Sequence, residues 1–182
     1  MPQTYCAAVR TGQFNEKHRQ YHDTEYGFPE ENDNALFGRL LMEINQAGLS
    51  WNTVLNKRES LRAAYANFEV ATVAQFSEKD ILRLLKNPGI IRMRKKIEAA
   101  IYNANQILSL QEKYGSFYNW LNLQHPQKEV DWIKIFNQQF KFTGKEITKE
   151  FLMSTGYLEG AHEPSCPVYS TVMAAKPKWR MD

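Results

Sequence analysis

A chain of 182 residues, 43% hydrophobic and 24% charged, is long enough to close one soluble domain around a real core. Its net charge of +3 and isoelectric point near 8.8 permit nucleic-acid binding without arguing for it, so any DNA contact must come from local clusters. No apolar run approaches the roughly 18 residues of a membrane span, and no signal-peptide core opens the chain; the expectation is a cytoplasmic monomer with no membrane partner.

Residues 1–32 are polar and aromatic with little periodicity, which suits an ordered loop region or short helices. A helix is expected over 33–46, capped by Asp33 or Asn34, with Leu36, Phe37, Leu40, Leu41 and Ile44 at helical spacing. Gly48 breaks it, and Ser50 caps a second helix running to about Asn67. A short helix over 70–75 is followed by a capping box, Ser77 with Asp80, whose helix turns Ile81, Leu82, Leu84 and Leu85 inward. The turn Asn87-Pro88-Gly89 ends it. A long helix from about Met93 to Gln111 and a short one over 116–123 come next. Residues 124–135 give no clear pattern, and Phe140-Lys141-Phe142 alternates like a strand too short to pair. A helix over 145–155 stops at Gly156, and the tail from Pro164 reads as mostly irregular. The class is all-α, because nothing alternates as a parallel sheet requires.

Four groups of residues carry chemistry. At about 100° per residue Glu43 lies beside Leu36 and Leu40, at the edge of the apolar stripe. Such a carboxylate is solvated through a cleft, paired, or kept for a ligand, and taken alone an edge glutamate reaching water accounts for it. Tyr21, Tyr26 and Trp51 suit either a stacking box for a planar ligand or ordinary core packing. The hairpin Asn87–Arg92, with Arg94, Lys95 and Lys96 after it, offers backbone amides and positive charge to a phosphate; a plain solvated turn accounts for it equally. Cys6 and His22 near one end and His162-x-x-x-Cys166 near the other have the composition of a closed tetrahedral zinc site, although such loose spacing also suits unrelated residues. A disulfide between the cysteines is not expected in the cytoplasm. His18 and His125 have no partner pattern, and Trp120, Trp132 and Trp179 read as core or surface anchors.

Taken together, the blocks Tyr21-His22-Asp23-Thr24-Glu25-Tyr26-Gly27, Glu43 with Gln46 through Leu55, Lys57-Arg58-Glu59, Gly89-Ile90-Ile91-Arg92 with Lys96-Ile97, Phe140 through Gly144, and His162-x-x-x-Cys166 occur in an order that resembles the bacterial type I 3-methyladenine DNA glycosylases over nearly the full chain. The resemblance implies a single helix-hairpin-helix domain, with a helical core at about 33–123 and a zinc-stapled lobe from about 1–32 and 124–182. It implies one structural zinc on Cys6, His22, His162 and Cys166. It also implies base excision repair: an alkylated adenine is flipped out of double-stranded DNA and its N-glycosidic bond hydrolysed, leaving an abasic site.

By the same resemblance Glu43 recognises the base and assists electrostatically, Trp51 stacks on it, and Tyr21 and Tyr26 complete the pocket, with no general base at Asp131. Gly48 and Leu49 form an exposed turn whose leucine wedges into the duplex. Gly89, Arg92, Arg94 and Lys95 contact the DNA backbone. The chain departs from the family at Tyr26 and Ala8, where aromatic pocket residues of other kinds are usual, and at Ile44, Asn45 and Lys95. A roomier or differently shaped pocket is the expected consequence. Two alternatives stand beside the main one: a glycosylase for a different alkylated base, and a zinc-stapled lesion-binding module without turnover.

Overall fold

Three adjacent polar residues start three helices. Asn32 accepts from the Ala35 amide at 3.0 Å and caps α3 (Asp33–Gln46), so the cap lies one residue before the expected pair. Asp33 instead reaches the amides of Phe117 and Tyr118 at 2.8 and 3.0 Å. It thereby places a carboxylate on the positive end of α8 (Phe117–Gln124). Asn34 accepts from the Val70 amide at 3.0 Å, at the start of α5 (Val70–Ala74). One chain turn therefore satisfies donors on three elements that would otherwise be orphaned.

The computed structural model describes residues 4–181. Before α3 lie α1 (Tyr5–Arg10) and α2 (Glu16–Thr24); after it come α4 (Trp51–Ala64), α6 (Glu78–Lys86) and α7 (Arg94–Tyr114). The chain continues through α9 (Glu129–Gln139), α10 (Lys145–Ser154) and α11 (Tyr169–Ala174). Among the described residues there is no strand and no helix long and apolar enough to cross a membrane. α3 is the hub, packed against α4, α7, α8 and α10. Every residue from Leu36 to Asn45 is buried in consequence, which overturns the amphipathic reading of this helix. A helix covered on all sides has no edge, and Glu43 is only 3% exposed.

The structure differs from expectation at several further points. α4 ends at Ala64, and Ala66, Asn67 and Phe68 all take positive φ, swinging the Phe68 ring onto Gly38, where a Cβ would sit 2.6 Å from it. Leu82 faces outward at 47% exposure, while Ile81 and Leu84 carry the buried face of α6. α9 begins within the unassigned stretch 124–135 and runs beyond it, with Trp132 and Phe136 buried one turn apart. Within the mostly irregular tail, α11 buries Val172, and the Trp179 amide donates to the Gly156 carbonyl at 3.2 Å. Phe140–Phe142, as its shortness implied, does not pair as a strand; the buried Asn103 side chain takes the Lys141 amide at 2.8 Å and gives to its carbonyl at 3.0 Å.

Candidate active site

Seven elements and loops converge on a cavity of about 350 Å³, near the lower end of the roughly 300–1,000 Å³ usual for small-molecule sites. α3 contributes Glu43 and Gln46, α2 His18 and Tyr21, the start of α4 Trp51 and Asn52, and α10 Glu150. Tyr26 closes it from the turn after α2, with Tyr5 and Phe14 from the N-terminal segment. The expected residues Tyr21, Tyr26, Glu43 and Trp51 thus line the same cavity. The Tyr21 ring centroid lies 5.1 Å from that of Trp51 and 5.7 Å from that of Tyr26.

The cavity is not opened up by Ala8. That residue is buried in packing and does not line the cavity; Tyr5 and Phe14 supply the rings. Tyr5 meets Tyr26 edge-on at 5.5 Å and hydrogen-bonds His18 Nδ1 at 3.1 Å, while Phe14 stacks on His18 at 4.2 Å. Ala8 therefore does not shape the cavity directly. Tyr5, Phe14, His18 and Glu150 stand in no motif that marks them. The nearest signal was the position of Tyr5 next to Cys6.

Glu43 is the electrostatic centre. Its carboxyl oxygens have no hydrogen-bond partner among the described residues, although the side chain is almost wholly shielded from water. Burial pushes its pKa up to about 8; the charge of Glu150 adds to this and Arg39 opposes it. Arg39 is itself held behind the wall, bonded to the Tyr21 hydroxyl at 3.4 Å and paired with Glu25 at 3.1 Å, which also receives Arg58. That network explains Glu25 and Arg58 in the recognised blocks: they brace Tyr21 from outside.

At the C-terminus of α3 the chain turns through Gly48 at φ +79°, a conformation that glycine tolerates best. Leu49 follows at 42% exposure. Lys96 was expected among the DNA-facing cations, but it is 3% exposed. Its ammonium donates to the carbonyls of Asn45 and Ala47 at 2.8 and 2.7 Å, satisfying the end of α3. The hairpin between α6 and α7 is thereby fastened to the turn that carries Leu49.

In the hairpin itself, Gly89 is required by close approach. A Cβ there would lie 3.0 Å from both Asn87 Oδ1 and Ser60 Cβ. Its amide is taken by Asn87 at 2.8 Å and that of Ile90 by the Asn87 carbonyl. The amides of Ile91 and Arg92 have no partner among the described residues. Arg94 is engaged by Glu78 at 2.7 Å and Glu98 at 3.3 Å, which removes it as a free cation. Arg92 and Lys95 remain exposed with no ion pair among the described residues.

The four expected metal ligands come together. Cys6, His22, His162 and Cys166 are all buried, with ligand atoms within 4.8 Å of one another. Sulfur–nitrogen separations are 3.6 Å for Cys6–His162, 3.7 Å for Cys166–His22 and 3.5 Å for Cys166–His162. Tetrahedral zinc with bonds of about 2.3 Å to sulfur and 2.0–2.1 Å to nitrogen would give roughly 3.5 Å. The outward nitrogens are also occupied: His22 Nδ1 faces Asp23 at 2.6 Å, and His162 Nε2 faces the Tyr26 carbonyl at 2.7 Å, the arrangement that orients metal-bound imidazoles. Gly27 lets this happen. It takes φ +82°, and a Cβ there would lie 2.7 Å from that of Ala161. The cluster could hold a metal ion, and through Tyr26 it fixes one wall of the cavity.

Residues 11–134 match the family described as methyladenine glycosylase, a span that stops short of Cys6, Glu150, His162 and Cys166. The DNA-3-methyladenine glycosylase 1 of Escherichia coli (strain K12) is 35% identical over 82% of this chain and 89% of its own length. The corresponding Haemophilus influenzae enzyme is 42% identical over 58% of each chain. The fold superimposes on 3-methyladenine DNA glycosylase I from Staphylococcus aureus with a TM-score of 0.80 at 31% identity, covering 92% of this chain and 97% of that one. A glycosylase I structure in complex with 3-methyladenine also gives 0.80, at 32% identity over 87% and 95% of the two chains. The chain belongs to the methyladenine glycosylase family.

Proposed function

We infer that this protein is a DNA repair glycosylase that releases 3-methyladenine from alkylated DNA and leaves an abasic site. The observation that carries the reading is Glu43: a buried carboxyl group without a partner, facing a cavity of aromatic rings. Such an arrangement is costly when empty of positive charge, and a cationic ring removes the cost.

Adenine alkylated at N3 within DNA already carries positive charge, so its glycosidic bond is weakened before the enzyme acts. When the C1′–N9 bond breaks, its electron pair moves onto the ring, the base leaves neutral, and water adds to C1′ with loss of a proton. Glu43 selects the charged ring and accepts its N–H donors. Trp51 stacks against the ring, and Tyr21, packed on Trp51 at 5.1 Å between centroids, backs it. An alkylated, poorly paired base is also cheaper to unstack than a normal one. Leu49, exposed on the Gly48 turn, fills the vacated position in the duplex. The Ile91 and Arg92 amides, with Arg92 and Lys95, hold a backbone phosphate; the engaged Arg94 is not part of that set.

The Cys6, His22, His162 and Cys166 cluster holds one structural zinc, which supplies a tether between the two ends of the chain and no chemistry to the base. Sulfur–nitrogen spacing and the occupied outer nitrogens support this assignment. The protein acts as a single domain and a monomer. Chromatography of the supernatant after incubation with methylated duplex DNA tests the function: free 3-methyladenine should accumulate, and release no faster than the spontaneous rate would refute it.

A further inference from the structure

Glu43 is not the sole carboxyl group on the cavity. α10 packs on α3 and carries Glu150 to the same space. The Tyr26 hydroxyl donates to Glu150 Oε2 at 3.2 Å; Oε1 has no partner among the described residues, and neither has either oxygen of Glu43. Nearby cations are engaged elsewhere. Lys149 pairs with Glu129 at 3.5 Å, and Arg39 with Glu25 at 3.1 Å. Two carboxyl groups therefore face one shielded cavity, and the charge of Glu150 raises the cost of charging Glu43.

Packing gives no reason for this. A residue serving only to seat α10 would need no carboxylate, and Ile147, Phe151 and Leu152 already bury that face of the helix. Tyr26 satisfies one of four carboxyl oxygens. What balances the remainder is an occupant with positive charge and N–H donors.

We propose that Glu150 is a specificity-determining residue that, with Glu43, forms a two-carboxylate cage admitting cationic, amino-bearing purines and rejecting neutral rings of the same shape. The inference rests on reading the cavity as the base pocket. It also gives the Tyr26 hydroxyl a task, holding one oxygen of the second carboxyl group at 3.2 Å. Discrimination by charge then resides chiefly in the pair, and the aromatic walls, which stack on any purine, contribute mainly affinity.

Two small probes separate the effects. 3,9-Dimethyladeninium is permanently cationic, because a methyl group occupies the position of the sugar; 9-methyladenine is its neutral counterpart. Calorimetric titration of the metal-loaded full chain should show the cation binding at least about tenfold more tightly. Glu150→Gln keeps the size of the side chain and an acceptor for Tyr26. It should lower affinity for the cation about tenfold and leave that for the neutral probe within about twofold. Glu150→Ser, checked for fold by circular dichroism, should collapse the ratio likewise. A variant that keeps the wild-type ratio, or loses both probes equally, overturns the inference while leaving the function standing. Wild-type protein that binds neither probe overturns the base-pocket reading and the inference with it.

Discussion

Glu43→Gln should make the protein more stable, and increasingly so as pH rises. The carboxyl group moves from its ordinary value of 4.5 to about 8 on folding. Below about pH 4.5 it is protonated in both states and carries no penalty. Between there and about pH 8 the unfolded chain gives up the proton while the folded protein keeps it, so wild-type stability falls with a slope of about 1.4 kcal/mol per pH step. Above about pH 8 both states are ionised and the penalty stays constant. Glutamine has nothing to titrate. From pH 6 to pH 8 the gap between variant and wild type should therefore widen by up to about 3 kcal/mol. Urea unfolding of the two metal-loaded proteins at several pH values reads this directly. The metal ligands are common to both, so their titration cancels in the difference. Stability curves that run parallel across the window would show that Glu43 is not held uncharged by burial, and the electrostatic argument for a cationic ligand would fail with them.

Three further outcomes are expected. Chelation of the metal should lower thermal stability sharply, since structural zinc contributes on the order of 10 kcal/mol in small domains; a melting temperature that ignores both chelator and added zinc would count against the four-ligand site. Leu49→Ala should slow excision from duplex DNA about tenfold while sparing single strands, where no stack has to be opened; equal slowing on both would remove the wedge. Arg92→Ala and Lys95→Ala should each lower the slope of log affinity against log salt by about 0.9, whereas Arg94→Ala should leave it unchanged. A salt response governed by Arg94 would mean that its bonds to Glu78 and Glu98 open on DNA.

What the sequence revealed was set by how local the physics is. The α3–turn–α4 unit was legible because a glycine break and a serine cap act within a few residues. The metal ligands were legible as residue types, and the fold alone supplied their meeting, by closing Gly27 against Ala161. Glu43 was misplaced to an edge because the periodicity of one helix cannot say how many neighbours cover it. Lys96 looked like a DNA contact because charge invites that reading, but the open carbonyls at the end of α3 claim it. α9 was missed for want of a long stripe, since only Trp132 and Phe136 are fully buried in it, with Ile135 packed beside them. Glu150 carries no signal in its own segment. Its direction depends on how α10 docks against α3, a long-range fact.

The most direct test is single-turnover release of 3-methyladenine from a methylated duplex by wild-type protein and Glu43→Gln in parallel. The account predicts release well above the spontaneous rate for the wild type and roughly 100-fold slower release for the variant, about 2.7 kcal/mol of lost transition-state stabilisation. Equal rates for the two proteins would contradict the claim that a buried, unpartnered carboxyl group is what reads the damaged base.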